Sequence, residues 1–164
     1  MASRKNVLRW LRDLAIVVLV VLAVQWWQAR NLPSGEAPSL AGAGLNGEPM
    51  SLASYRGKPV LVYFWAEWCP ICRFASSSIA DIAEDHAVLA VASTSGDAEE
   101  VRTYLQKNDL QMPVLMDESG DLARHWDVYG LPSIFIIDSQ GRIDYATKGY
   151  STEIGLRVRL ALAD

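Results

Sequence analysis

Apolar residues along the chain follow two patterns, which predict strands and helices in alternation. The unbroken apolar run over residues 60–65 is β-branched and aromatic, which is typical of a strand buried on both faces. A second, mainly apolar run over residues 133–138 precedes the turn formers Gln140 and Gly141 and predicts an antiparallel hairpin. In chain order, strands are predicted over residues 60–65, 87–94, 113–116, 133–138 and 142–147.

Apolar residues at helical spacing lie between these strands. Pro70 suits the first turn of a helix, because its missing backbone N–H costs nothing there. Asp97 is a predicted N-cap for the next helix. Helices are predicted over residues 70–85, from residue 98 onward, and over residues 118–126 and 152–162. The predicted apolar face of the first helix consists of Ile71, Phe74, Ala75, Ser78, Ile79 and Ile82. The alternation predicts an α/β fold with a mixed central sheet flanked by helices.

The first thirty residues predict a membrane anchor. Residues 14–24 are an unbroken apolar run of eleven. A helix counted from Trp10 to Ala29 reaches the roughly 30 Å of a hydrocarbon core. Four basic residues precede the run, so we expect the amino terminus in the cytoplasm and the rest of the chain outside it, on the inner membrane. A cleaved signal peptide is the alternative, although no pair of small residues three apart follows Val24 directly.

The segment after this anchor is rich in turn formers. We predict a flexible linker over residues 31–45 and a folded domain over residues 46–164, which starts at the hairpin turn Asn46-Gly47.

Composition and charge limit the possible functions. The chain is 51% hydrophobic and 21% charged, so it can build a core, and a wholly disordered chain is excluded. Residues 1–30 have five basic residues and one acidic, whereas the remaining 134 have ten basic and eighteen acidic. A body this acidic is not expected to bind nucleic acid.

The only two cysteines form the motif Trp68-Cys69-Pro70-Ile71-Cys72 at a predicted strand-to-helix junction. A thiol at a helix amino terminus is stabilised as the thiolate, and its pKa falls below the free value of about 8.5. Cys69 is therefore the candidate nucleophile. Cys72, one turn further on, is the candidate resolving thiol that displaces a captured partner.

Other uses of two cysteines fit less well. A structural disulfide closing so short a loop stabilises weakly. Zinc needs two further ligands, and only His86 and His125 remain, at no ligand spacing; they are predicted to be surface or helix-end residues. Haem attachment needs a histidine where Arg73 stands. A copper-binding or copper-delivery module stays open as an alternative. For redox work, the Cys69–Cys72 pair suffices, and no metal or organic cofactor is expected.

Residues 64–73 resemble the active-site segment of the thioredoxin superfamily. Residues 57–66 and 130–138 are similar to the membrane-tethered TlpA/ResA/CcmG branch, and within it to the protein disulfide oxidoreductases related to the copper-sensitivity suppressor protein D. The resemblance extends from about Ala37 to Leu162. It implies a thioredoxin-like fold with an N-terminal hairpin and an inserted strand and helix, here between Asp97 and Met116.

The resemblance also implies the rest of the site. Pro132 would be cis and would pack against the cysteines, which leaves the backbone of Leu131 free to pair with an extended substrate segment. The substrates would be protein dithiols and disulfides, and a DsbD-type membrane protein would supply electrons. Trp68, Pro70, Ile71 and Glu67 would support the site. Ile71 stands where strong oxidants of the DsbA type have histidine, which favours a reductant or electron carrier over an oxidase or isomerase.

Two positions depart from the pattern. Many thioredoxins place a buried aspartate where this chain has Tyr63, and ResA- and CcmG-like proteins often have a glutamate where it has Ala75. Glu67 is the nearest candidate carboxylate, although a surface acid is an equally good interpretation. The proton acceptor for Cys72 therefore stays open.

Overall fold

The computed structural model describes residues 9–20 and 34–163 and divides the chain into two compact units, Met1–Asn31 and Leu32–Asp164. In the first unit, residues 9–20 form helix α1. None of the helices in the described ranges combines the length and the apolar character needed to cross a bilayer. Most of the anchor predicted over residues 1–30 lies outside the described residues.

A six-stranded mixed sheet organises the second unit, in the order β1-β8-β7-β4-β5-β6. Strands β4, β5 and β6 run parallel, whereas β4 with β7, β7 with β8, and β8 with β1 are antiparallel. A separate hairpin pairs β2 with β3. The strands are β1 (Gly35–Glu36), β2 (Ala41–Ala43), β3 (Pro49–Ser51), β4 (Val60–Trp65), β5 (Ala87–Ser93), β6 (Val114–Asp117), β7 (Ser133–Ile137) and β8 (Arg142–Lys148). The predicted mixed α/β sheet is confirmed.

Four helices flank this sheet, at positions close to those predicted. They are α2 (Pro70–Ala83), α3 (Ala98–Lys107), α4 (Asp121–His125) and α5 (Glu153–Leu162). Asp97 caps α3 as predicted, because its carboxylate accepts from the backbone N–H groups of Glu99 and Glu100. In return, the Asp97 N–H donates to the Glu100 carboxylate. Helix α3 and strand β6 lie where the resemblance placed the inserted helix and strand.

Strand β4 is buried along its whole length, as its apolar run predicts. Alternate side chains enter two cores. Leu61, Tyr63 and Trp65 pack on the side of α2, α3 and α5. Val62 and Phe64 pack on the other side. Three large side chains complete that core: Leu40, Trp126 and Phe135. The sheet is therefore covered on both faces, and its central strand ends directly at the cysteine loop.

The linker predicted over residues 31–45 is wrong for residues 34–45. Glu36 pairs with Arg142 on β8, and β2 is the first strand of the hairpin that turns at Asn46-Gly47. Leu40 is only 2% exposed, and its carbonyl accepts from the Leu52 N–H at 2.8 Å. Backbone pairing needs no apolar side chains, so a segment of small and polar residues can still form strands. The folded body therefore begins before residue 46.

The predicted apolar face of α2 is also partly wrong. Ile71 is 49% exposed and Phe74 is 75% exposed. The buried face instead consists of Cys72, Ala75, Ser76, Ile79, Ala80 and Ile82. These residues also keep helical spacing. The buried face includes Cys72, whereas the predicted face included Ile71, so the face is rotated about the helix axis from the predicted one.

Candidate active site

The two cysteines lie in the first turn of α2, directly after the loop that follows β4. They form a disulfide, with their Cα atoms 5.3 Å apart, within the usual range for such a bond. Cys69 is the N-cap residue, and its Sγ accepts from the backbone N–H of Cys72 at 3.3 Å. Pro70 occupies the first helical position, as predicted. The Cys69 sulfur is therefore the group that faces the positive end of the helix dipole.

Burial distinguishes the two sulfurs' surroundings. Cys69 is 5% exposed, whereas Cys72 is fully buried. Both cysteines are buried, but only Cys69 keeps any exposed surface, so the geometry suits Cys69 as the attacking group and Cys72 as the internal one.

Two hydroxyl groups hold the backbone carbonyl of Cys72. Ser76 Oγ donates to it at 2.8 Å, and the Tyr63 phenol donates to it at 3.2 Å from strand β4. The two hydroxyl oxygens are also 3.2 Å apart. Burial raises the pKa of Tyr63 well above its usual range, so the phenol stays protonated near neutral pH. Tyr63 therefore supplies a hydrogen-bond donor where many thioredoxins have a carboxylate.

Glu67 lies in the loop before Cys69, and the backbone groups of Glu67 hold this loop in place. The Glu67 N–H donates to Ser95 Oγ at 3.3 Å, and its carbonyl accepts from Arg73 Nε at 3.5 Å. The Glu67 side chain lines an open cleft shared with Tyr104 and Lys107 of α3. This position, facing α3, agrees with the interpretation of Glu67 as a surface acid.

The two tryptophans near the site have different surroundings. Trp68, the residue directly before Cys69, is 58% exposed, and its indole N–H donates to the Thr94 carbonyl at 2.9 Å, which fixes the ring. Trp65 is fully buried, stacked at 6.4 Å from Tyr63 and tilted against Tyr104 at 5.4 Å. Trp68 therefore flanks the site, whereas Trp65 belongs to the core beneath it.

The Leu131–Pro132 segment reaches the same end of the sheet. Its peptide bond is cis, as the resemblance implies. Ser133, the next residue, pairs with Phe64 near the end of β4, so the segment lies beside the loop that leads to Cys69. The Pro132 carbonyl accepts from Gly149 N–H at 2.8 Å, and Leu131 packs against both cores. The segment is held at both ends.

The histidines lie at helix ends, as predicted. His86 follows α2 and contacts Asp85 at 2.9 Å, beyond the opposite end of that helix from Cys69. His125 is the last residue of α4, and its ring lies 3.4 Å from Ser39 Oγ. Over residues 9–20 and 34–163, no three His, Cys, Asp or Glu side chains gather as a metal site.

Sequence reasoning missed Ser76 and Ser95, which bond to Cys72 and Glu67. The sequence signal for Ser76 is weak. It lies four residues after Cys72 and so on the same helical face, but the helix is predicted there from its apolar residues alone.

Comparison with known proteins identifies the family. A family model described as AhpC/TSA family matches residues 33–146, which is more than half of the chain. The chain belongs to the AhpC/TSA family. This family member is 33% identical over 154 residues to a thioredoxin-like protein of Haemophilus influenzae, covering 93% of this chain and 92% of that one. It is 29% identical over 122 residues to the thiol-disulfide oxidoreductase ResA of Bacillus thuringiensis, covering 72% and 70%.

A solved structure agrees with the fold. A thiol:disulfide interchange protein of the thioredoxin family from Chlorobium tepidum superposes with a TM-score of 0.69 at 25% identity, covering 80% of this chain and 97% of that one. This AhpC/TSA family member is thus a thiol-disulfide oxidoreductase with the thioredoxin fold, similar to ResA and DsbE proteins. The predicted thioredoxin-like fold and redox function are confirmed.

Proposed function

We propose that this chain reduces protein disulfides outside the cytoplasm, with Cys69 as the nucleophile and Cys72 as the resolving thiol. The observation that supports this most is the capping contact at 3.3 Å between Cys69 Sγ and the Cys72 N–H, at the start of α2. A sulfur in that position gains most from the helix dipole when it is negatively charged. Its partial exposure lets it meet a partner that Cys72, fully buried, does not meet.

The exchange takes place in two steps. The Cys69 thiolate attacks one sulfur of the partner disulfide, whose S–S bond breaks as a mixed disulfide forms, and the other partner sulfur leaves as a thiolate that takes a proton. Cys72 then loses its proton and attacks Cys69 Sγ, which releases the second partner sulfur as a thiolate that is protonated in turn. Two electrons and two protons pass to the partner, and the Cys69–Cys72 disulfide remains. The dithiol holds these electrons without a metal or organic cofactor.

The partner segment is positioned by the groups around Cys69. Leu131 and Pro132 lie at the same sheet end as the cysteine loop, so an extended segment that pairs with the Leu131 backbone would bring its own cysteine to Cys69. Trp68, fixed by its bond to Thr94, forms one side of the approach. Pro70 sets the helix start, Ile71 lies exposed beside it, and Glu67 contributes its backbone to the loop.

Ile71 between the cysteines supplies neither a charge nor a hydrogen bond to a thiolate, which favours a reductant or electron carrier. A reductant in an oxidising compartment must be recharged, so a DsbD-type membrane protein would donate the electrons. The anchor over residues 1–30 would hold the protein in the inner membrane, amino terminus in the cytoplasm, and bring it close to that donor.

Trapping tests this proposal directly. In the full-length chain, Cys72→Ser should accumulate mixed disulfides with partner proteins that disappear on reduction, and Cys69→Ser, the matched control, should accumulate none. A Cys72→Ser protein that traps nothing while the wild type binds Cu(I) stoichiometrically would replace the proposal with the copper module. A reduction potential near the roughly −270 mV of thioredoxin supports the reductant, whereas one near the roughly −120 mV of DsbA would establish an oxidase.

A further inference from the structure

We propose that Lys148 selects partner segments that have an acidic side chain close to their reacting cysteine. Lys148 is the last residue of β8, and its side chain lies against the backbone of Gly130, directly before the Leu131–Pro132 segment. This inference rests on the proposed function, because it concerns the partner segment that pairs with the Leu131 backbone while Cys69 attacks.

Backbone bonds hold the end of β8 beside the Leu131–Pro132 segment. Lys148 pairs with Ser133 across β7 and β8, and Ser133 directly follows Pro132. The Gly149 N–H, one residue further on, donates to the Pro132 carbonyl at 2.8 Å. Ser133 Oγ donates to the Gly130 carbonyl at 2.8 Å, which fixes the other end of the segment. The backbone of Lys148 therefore has a fixed position next to the residues that a partner must meet.

The side chain of Lys148 occupies the space that a side chain at position 130 would need. A Cβ at Gly130 would lie only 2.6 Å from Lys148 Nζ. Gly130 does not have the positive φ that favours glycine, so its backbone conformation is not what requires a glycine. The absence of a side chain instead lets the lysine ammonium approach the backbone directly before Leu131.

The Lys148 ammonium group can bind a partner's carboxylate. Lys148 is exposed, and none of the ion pairs formed within residues 9–20 and 34–163 includes it. Residues 31–164 have eighteen acidic side chains and only ten basic ones. This ammonium group is therefore a local positive charge on an otherwise acidic body, beside the Leu131–Pro132 segment.

Strand pairing places one partner residue within reach of this charge. Residues opposite each other on two paired strands have Cβ atoms about 4.5–5.5 Å apart, and an extended chain advances about 3.3 Å per residue. In either strand direction, a neighbour of the partner residue that pairs with Leu131 therefore comes opposite Gly130. A glutamate or aspartate there accepts a hydrogen bond from the Lys148 ammonium, whereas a lysine or arginine meets a like charge.

Charged peptides test this selection. The substrates are disulfide-linked dimers of a short peptide with one cysteine, and with either glutamate or lysine at one of the two positions before or after it. The reduced full-length chain is mixed with each dimer at low ionic strength, and the free peptide thiol is measured over time. Each rate is divided by the rate of the same variant with bis(2-hydroxyethyl) disulfide. This substrate is small and uncharged, so a change in the reactivity of Cys69 itself cancels.

The measured quantity is the ratio of the glutamate-peptide rate to the lysine-peptide rate. At the best peptide position, we expect Lys148→Gln to lower this ratio about fivefold relative to the wild type, and Lys148→Glu to lower it further. Gly130→Ala keeps the charge but displaces Lys148 Nζ, so it should also lower the ratio. The effect of Lys148→Gln should shrink in about 0.5 M salt, because salt screens exposed charges.

Lys58→Gln is the matched control. Lys58 is also an exposed lysine, so the substitution changes the net charge equally, but it precedes β4 and lies at the opposite end of that strand from the cysteine loop. The rate ratio of Lys58→Gln should equal that of the wild type.

Two results would overturn the inference, and they differ in what they say about the proposed function. If the wild type reduces the peptides and the small disulfide, but Lys148→Gln shifts the ratio no more than Lys58→Gln does, Lys148 does not select partners and the proposed exchange stands. If the wild type reduces neither the small disulfide nor any peptide, the proposed function is wrong, and the inference is overturned with it.

Discussion

The Tyr63 phenol donates a hydrogen bond to the backbone carbonyl of Cys72 across 3.2 Å, from the buried face of β4 to the first turn of α2. The Cys72 N–H donates to the Cys69 sulfur. Cys72 is thus held on both sides of its Cα: its carbonyl accepts from Tyr63 and Ser76, and its N–H donates to Cys69. A carboxylate at position 63 would accept a proton from the Cys72 thiol, whereas the Tyr63 hydroxyl holds the Cys72 backbone carbonyl.

Tyr63→Phe tests this assignment. The ring remains, and Ser76 Oγ still donates to the Cys72 carbonyl, so we expect the free energy of unfolding to fall by about 1 kcal/mol in urea titrations. The pH dependence of disulfide reduction should keep its shape, because burial raises the pKa of the Tyr63 phenol and holds it protonated. Tyr129→Phe is the control, since Tyr129 is 77% exposed and its loss should leave stability unchanged. A profile that loses an ionisation in Tyr63→Phe would mean that the phenol takes part in proton transfer.

The elements that surround the site could be predicted from sequence because their signals are local. The apolar run of β4 and the pair Cys69-Pro70 place a thiol at a helix start without any tertiary information. Only the family resemblance predicts a role for Leu131 and Pro132, because no local pattern connects them with residues about sixty positions earlier.

Other features depend on tertiary pairing and could not be predicted. Strands β1 and β2 lack apolar alternation and form because β8 and β3 offer free backbone groups. Which side of α2 is buried depends on its rotation against β4, so the sequence pattern predicts the wrong face for Ile71 and Phe74. The bond from Tyr63 to Cys72 depends on the same rotation.

Asp117 connects the end of β6 to β5 and to α4, and we expect Asp117→Asn to destabilise the fold. The residue is 3% exposed, and its carboxylate accepts from Ser93 Oγ and from the backbone N–H groups of Leu122 and Ala123. Each carboxylate oxygen accepts one backbone N–H. In either orientation, the asparagine side chain would therefore turn its NH₂ group toward one of these N–H donors and lose that hydrogen bond. We expect a loss of about 2–3 kcal/mol in urea unfolding. Asp144→Asn, at an exposed position, should lose almost nothing; an equal loss in both variants would contradict the assignment.

The pair of Asp85 and Arg157 connects the end of α2 to α5 and predicts a pH dependence. Arg157 Nη1 contacts both carboxylate oxygens of Asp85 at 2.7 Å, and bonds from Arg157 and His86 lower the pKa of Asp85. Since the folded pKa lies below the unfolded value of about 3.9, this stabilisation is present above that value and is lost as the pH falls through the folded pKa.

Asp85→Asn should therefore lower Tm by about 1–2 °C at pH 7, and the difference should vanish in strong acid. The matched control is Glu84→Gln, an exposed carboxylate one residue earlier. A Tm difference for Asp85→Asn that is constant with pH would show that the carboxylate's charge is not involved.

The most direct test of the account is the pKa of the Cys69 thiol in the reduced full-length chain, obtained from the pH dependence of its alkylation rate in Cys72→Ser. The helix-capping position predicts a value clearly below the roughly 8.5 of free cysteine, while Cys72, measured in Cys69→Ser, should show no such lowering. Two thiols that both titrate near 8.5 would contradict the central claim that the start of α2 makes Cys69 the nucleophile.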